Sequence, residues 1–162
     1  MKKTPSHFSH ICLPMLVNGK RPHILLADDD EDDRDNFIEA FHDVVPEITI
    51  TTETDGAKLM NRLNETETIP DILFLDLNMP RKNGFECLEE IRNLTKFNST
   101  PIIIYSTSSN PELVNRSYDK GANLYLEKPQ SFKEIKKLVE RILLMNRDEF
   151  LPQPPKSKFV LK

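Results

Sequence analysis

A chain of 162 residues has room for one hydrophobic core of ordinary size and is short for two. With 38% apolar residues, 30% charged residues and only 4 Gly, it fits a helix-rich globule in water and excludes a fibrous or membrane-embedded chain. The net charge of −4, from 26 acidic and 22 basic residues, supplies no basic field for nucleic acid or an anionic membrane, and neither is expected as a partner.

Met1, Lys2 and Lys3 open the chain as a signal peptide would. Pro5, His7, His10 and Pro14 then interrupt the place where an apolar stretch is required, and no segment approaches transmembrane length. The expected location is the cytoplasm. Residues 1–20 have no stable period and read as a flexible extension, 21–147 as the folded domain, and 148–162, with Pro152, Pro154 and Pro155, as a Pro/Lys-containing tail that cannot continue a helix. Cys12 and Cys87 are the only cysteines, too few for a disulfide framework or a zinc site, and read as free thiols. His7, His10, His23 and His42 have no partners at metal-ligand spacing.

From Ile24 onward, short apolar runs alternate with stretches of helical spacing. Ile24–Ala27, Ile72–Leu75, Ile102–Tyr105 and Leu124–Leu126 have the composition of strands covered on both faces, while Ile48–Thr52 is β-branched, weaker and nearer an edge. Asn110 and Pro111 open a fourth helix that Gly121 closes. Ser131 and Glu134 start a fifth, whose Phe132, Ile135, Val139 and Ile142 share one side. Five repeats of strand then helix predict an α/β domain with a parallel sheet and right-handed crossovers.

Ligands of such sheets sit beyond the carboxyl ends of the strands. Those ends carry Asp28 and Asp29 after the first run, Asp76 after the third, Ser106 and Thr107 after the fourth, and Lys128 and Pro129 after the fifth. Crowded carboxylates call for a hard cation, and Mg²⁺ fits best, with Asp29 and Asp76 as direct ligands and Asp28 acting through water. Phosphoryl transfer needs a nucleophile in line and positive charge around the equatorial oxygens. Asp76 suits the first role; Lys128 and Ser106 would answer the charge on the phosphoryl oxygens. Asp30, Glu31, Asp32 and Asp33 read as an acidic helix start, and an EF-hand is excluded because its sixth position, counted from Asp28, is Asp33 where Gly is needed.

These residues resemble the response-regulator receiver family over roughly Arg21 to Asn146: the acidic pair Asp28-Asp29, the acceptor stretch Asp76-Leu77-Asn78-Met79-Pro80 followed by Asn83-Gly84, Pro101 through Thr107 with Ser106 at the hydroxyl position, and Lys128-Pro129. The resemblance implies a doubly wound, flavodoxin-like fold of five parallel strands in the order 2-1-3-4-5 with five flanking helices. It further implies Mg²⁺ dependence with the backbone carbonyl of Asn78 as a ligand, and a sensor histidine kinase or phosphotransfer protein as phosphodonor. Ser106 and Tyr125 would be the switch residues altering the surface of helix 4, strand 5 and helix 5. Ser106 departs from the commoner Thr, which keeps the donor and drops a methyl group. The expected protein is a single-domain response regulator acting on a downstream protein, not an enzyme beyond limited autophosphorylation and autodephosphorylation. Its strand ends also resemble those of small regulators paired with bacterial phytochrome-type kinases, which dimerise through the switch face, so a homodimer is in keeping with the resemblance. Two alternatives are a pseudo-receiver that binds without phosphorylation and a haloacid-dehalogenase-type phosphatase. The second needs another Asp two residues after its nucleophile, where this chain has Asn78.

Overall fold

The computed structural model describes residues 22–162. The expectations for the extension 1–20, for Cys12 and for His7 and His10 lie outside the described residues. Five strands, β1 (His23–Ala27), β2 (Thr49–Glu53), β3 (Ile72–Leu75), β4 (Ile102–Ser106) and β5 (Leu124–Glu127), alternate with α1 (Glu31–Val44), α2 (Gly56–Glu65), α3 (Gly84–Asn93), α4 (Pro111–Asp119) and α5 (Phe132–Leu144). All strand pairings are parallel.

Each helix starts where a polar side chain can satisfy its first free N–H groups. Asp30 caps α1, Asp55 caps α2, Asn110 caps α4 ahead of Pro111, and Ser131 caps α5. Asn83 forms a reciprocal capping box with Glu86 at the start of α3. Gly121 follows α4 at φ 90°, the left-handed conformation in which a side chain would be strained.

Because β1, β3, β4 and most of β5 are buried on both faces, two apolar layers form. On one face Phe37, Phe41 and Val44 of α1 pack with Ile135, Val139 and Ile142 of α5 over Ile24, Leu26 and Phe74. On the other, Leu59 and Leu63 of α2, Leu88 and Ile91 of α3, and Val114 and Tyr118 of α4 cover Leu25, Leu73 and Ile104. As the weaker pattern of 48–52 suggested, β2 lies at an edge.

The sheet has six strands, not five, in the order 2-1-3-4-5-6. After α5 the prolines prevent a further long helix. The chain instead makes a short helix, α6 (Lys156–Phe159), and a two-residue strand, β6 (Val160–Leu161), that pairs Val160 with Tyr125 and Leu126 with Leu161. Side-chain bonds hold this return: Asn123 Nδ2 donates to the Phe150 carbonyl at 2.8 Å, and Gln153 Nε2 donates to the carbonyls of Tyr118 and Ala122 at 2.7 Å each. Phe159 enters the second apolar layer at 1% exposure, edge-on to Tyr118 with ring centroids 5.1 Å apart and 6.3 Å from Tyr125. Burying one such ring contributes several kcal/mol, and the unpaired edge of β5 gains backbone partners. Phe159→Ala is therefore expected to lower the unfolding free energy by about 3 kcal/mol in urea titration, while Lys158→Ala, on an exposed residue of the same turn, changes it by less than about 0.5 kcal/mol. Equal small effects would mean that 156–161 does not pack in solution as it does here.

Candidate functional site

Ladder hydrogen bonds continue one residue past the strands and set the first polar residues side by side. Asp28 N–H donates to the Glu53 carbonyl at 3.0 Å, Asp76 N–H to the Ala27 carbonyl at 2.9 Å, and Lys128 N–H to the Ser106 carbonyl at 2.8 Å. Gly84 lets α3 begin against this point. Its N–H donates to the Leu77 carbonyl at 2.9 Å, and a methyl group added there would collide with the Asp76 carbonyl oxygen and Leu77 Cα.

Asp28, Ser106, Asp76 and Lys128 are 0%, 0%, 5% and 7% exposed. Asp28, Asp29 and Asp76 each offer a carboxylate oxygen within 4.8 Å of the others, Asp29 from the solvent side. Lys128 Nζ stands 2.7 Å from Asp28 Oδ2, 2.8 Å from Asp33 Oδ2 and 3.6 Å from Asp76 Oδ2. Although the Asp28 contact is short enough for an ion pair, it lacks hydrogen-bond geometry, and Asp28 Oδ2 is a buried oxygen with no hydrogen bond. Asn78 N–H reaches Asp76 Oδ1 at 3.4 Å, and Asp30 N–H donates to Asp28 Oδ1 at 3.0 Å.

Loss of water raises the Asp76 carboxyl from its ordinary 3.8 to about 6; Lys128 opposes the rise and the Asp28 charge adds to it. Asp28 is raised for the same first reason, against the pull of Lys128. Burial pulls the Lys128 ammonium down, but the carboxylates of Asp28, Asp33 and Asp76 around it outweigh that and the net shift is upward. One ammonium thus shares two buried carboxylates that remain under-compensated. An unbonded buried oxygen beside two further carboxylates is a donor set that suits a hard, oxygen-seeking divalent cation.

The structure brings together Asp28, Asp29, Asp76 and Lys128 at this point, with Ser106 at the end of the neighbouring β4. Ser106 Oγ accepts from Ser108 N–H at 3.3 Å, and Tyr125, fully buried, donates its hydroxyl to the Ser108 carbonyl at 2.6 Å. Thr107 faces solvent. The acidic helix start is partly as the sequence suggests, with Asp30 as cap. Asp33, however, also reaches back to Lys128, a contact spanning 95 positions for which neither spacing nor composition gives a signal. Cys87 is a buried free thiol pushed up to about 12 by its burial, and no helix among the described residues is long and apolar enough to cross a membrane.

Residues 24–140 match the response regulator receiver domain family, and the chain belongs to that family. Its members are the signalling components of two-component systems, and they bind Mg²⁺ or Mn²⁺ at an acidic pocket. Among curated proteins, the response regulator Rcp1 of Synechocystis is 36% identical over 78 residues, 48% of this chain and 53% of that one. A probable methanogenesis regulatory protein, FilR2 of Methanothrix harundinacea, is 33% identical over 75 residues, 46% and 48% of the two chains. The chain thus spans about half the length of these curated relatives. Among solved structures, the phosphorylated cyanobacterial phytochrome response regulator RcpA superposes with a TM-score of 0.72 at 27% identity, covering 84% of this chain and 98% of that one. The Mn²⁺-bound form of Rcp1 gives 0.68 at 29%, covering 75% and 91%.

In the metal-free protein, folded Asp76 holds its proton up to about pH 6, whereas an unfolded aspartate releases it near 3.8. The folded state binds the extra proton across that interval, so this group lowers stability as pH rises through it, and the full penalty persists above it. Asp76→Asn is expected to raise the thermal stability of the metal-free protein at pH 7 by about 1–3 kcal/mol, and by little at pH 4. Equal gains at both pH values would contradict the assignment.

Proposed function

We propose that Asp76 accepts a phosphoryl group from a phosphohistidine of a sensor histidine kinase or phosphotransfer protein, and that the chain acts as a response regulator in the cytoplasm. The observation that carries the reading is a buried, poorly solvated Asp76 carboxylate with Lys128 at 3.6 Å and Asp28 and Asp29 beside it. A carboxylate stripped of water is a better nucleophile than a hydrated one, provided that cations keep it ionised. One Asp76 oxygen would form a bond to phosphorus as the phosphorus–nitrogen bond breaks, its electron pair returning to the imidazole. Lys128 would meet the charge on one equatorial oxygen and the Ser106 hydroxyl would donate to another.

Mg²⁺, held by Asp29, Asp76 and the Asn78 carbonyl with Asp28 through water, would neutralise the carboxylates and screen the incoming phosphoryl charge. This chemistry agrees with the Mn²⁺-bound form described for Rcp1.

Output would begin at Ser106. A phosphoryl group drawing its hydroxyl toward Asp76 disturbs the Ser108 segment, which is bonded both to Ser106 Oγ and to the Tyr125 hydroxyl. The affected surface belongs to α4, β5 and α5, and β6 is part of it. A groove of about 910 Å³ runs there between Pro111, Val114, Tyr125, Leu138 and Leu161. A change at Tyr125 passes directly to Phe159 and β6, so phosphorylation would alter the binding of a downstream protein, a second copy of the chain included.

Incubation with acetyl phosphate followed by intact-mass measurement tests the reading. A gain of one phosphoryl group that requires Mg²⁺ and disappears in Asp76→Asn is expected. A folded protein that gains none under any condition would instead be a pseudo-receiver that binds without phosphorylation.

A further inference from the structure

We propose that Asp33 is a positioning residue for phosphoryl transfer at Asp76, its carboxylate orienting the Lys128 ammonium toward the phosphoryl group; the proposal rests on Asp76 being the acceptor. The Lys128 backbone is fixed by its bond to the Ser106 carbonyl, but an ammonium on a four-carbon stem is not oriented by its backbone. Three carboxylates surround Nζ, and only one of them makes a hydrogen bond with it: Asp33 Oδ2, at 2.8 Å. The Asp28 contact is an ion pair without hydrogen-bond geometry, and 3.6 Å to Asp76 Oδ2 is beyond hydrogen-bond reach. On another side, Nζ lies 5.5 Å from the centre of the Tyr105 ring, which offers attraction without direction. The bond to Asp33 is therefore what aims the ammonium and leaves its remaining N–H groups for the acceptor side.

Asp33 is itself well placed to do this. Its N–H donates to the capping Asp30 Oδ1 at 3.0 Å in the first turn of α1, whose Phe37 and Phe41 are locked in the core. It also stands outside the cluster of Asp28, Asp29 and Asp76. A cation held by those three would compete with Lys128 for Asp28 and Asp76, but not for Asp33. The Asp33 side chain is 36% exposed and well hydrated, although Lys128 is buried, so the loss of Asp33 costs little stability, and its effect belongs to orientation and should appear in rate.

Removing a negative charge near the landing place of an anion would, by field alone, speed phosphorylation. Orientation predicts the opposite sign. The experiment compares Asp33→Ala with Asp32→Ala, which removes an exposed acid from the same helical turn, and with Asp33→Glu, measuring acetyl phosphate labelling rate, Mg²⁺ dissociation constant and melting temperature. Asp33→Ala is expected to label about tenfold more slowly than Asp32→Ala, with Mg²⁺ affinity and melting temperature matching that control, and Asp33→Glu to recover most of the rate. Labelling at the control rate or faster overturns the proposal, as does a slowing matched by an equal loss of Mg²⁺ affinity or of melting temperature. Such results in a parent chain that labels at Asp76 remove the role of Asp33 alone; a parent chain that does not label removes the acceptor reading and this proposal with it.

Discussion

Two carboxylates, Asp28 and Asp76, lie buried at the end of a parallel sheet with one ammonium, Lys128, between them. Neither the sheet nor the helices need this arrangement, and burial of under-compensated charge opposes folding by several kcal/mol per ion before pairing. It persists because the two apolar layers, built on strands buried on both faces, hold the strand ends in register. The raised carboxyls of both aspartates and the unbonded Asp28 oxygen are the physical trace of that opposition. A cation, a proton or a phosphoryl group with its counter-charges would each relieve it differently.

Rigidity elsewhere keeps the relief local. The Arg92 guanidinium, lowered to about 10 by its burial, donates to the carbonyls of Gly121, Phe97 and Thr100 and to Asn123 Oδ1, tying α3 to the segments on either side of β4 and before β5. Asn123 passes the connection on to Ile102 and to Phe150, where the returning C-terminal segment begins. On the opposite side Arg81, at φ 65°, pairs with the buried Asp55 that caps α2, so the segment after Asp76 is anchored to a neighbouring helix. By contrast, Ser106, Ser108 and Tyr125 are linked through single hydrogen bonds in series, and the proposed switch would act through these.

The legible part of the site is the part that parallel-sheet geometry places. Asp28, Asp76 and Ser106 each follow an apolar run directly, and Lys128 follows one after Glu127, so locating the runs locates the residues. The helix starts at Asn110 and Ser131 were readable because capping is local. The sixth strand was not: two residues following a proline-rich stretch carry no period, and Val160 and Leu161 become a strand only because β5 presents an open edge. Phe159 gave no sign of its partners, since Tyr118 and Tyr125 lie far from it in sequence. Asp33 hid for a different reason. An acid in the first turn of a helix is explained by the helix itself, and its reach across 95 positions to Lys128 depends on how α1 packs over the sheet.

The central claim is that Asp76 sits in a site whose burial and neighbouring carboxylates outweigh its single ammonium. Carbon-13 NMR titration of the aspartate carboxyl carbons in the metal-free protein, with the Asp76 resonance assigned by its loss in Asp76→Asn, tests this directly. The account predicts a midpoint near 6, with the high-pH form favoured at lower pH once Mg²⁺ is added. A midpoint near the ordinary 3.8, unmoved by Mg²⁺, would contradict it.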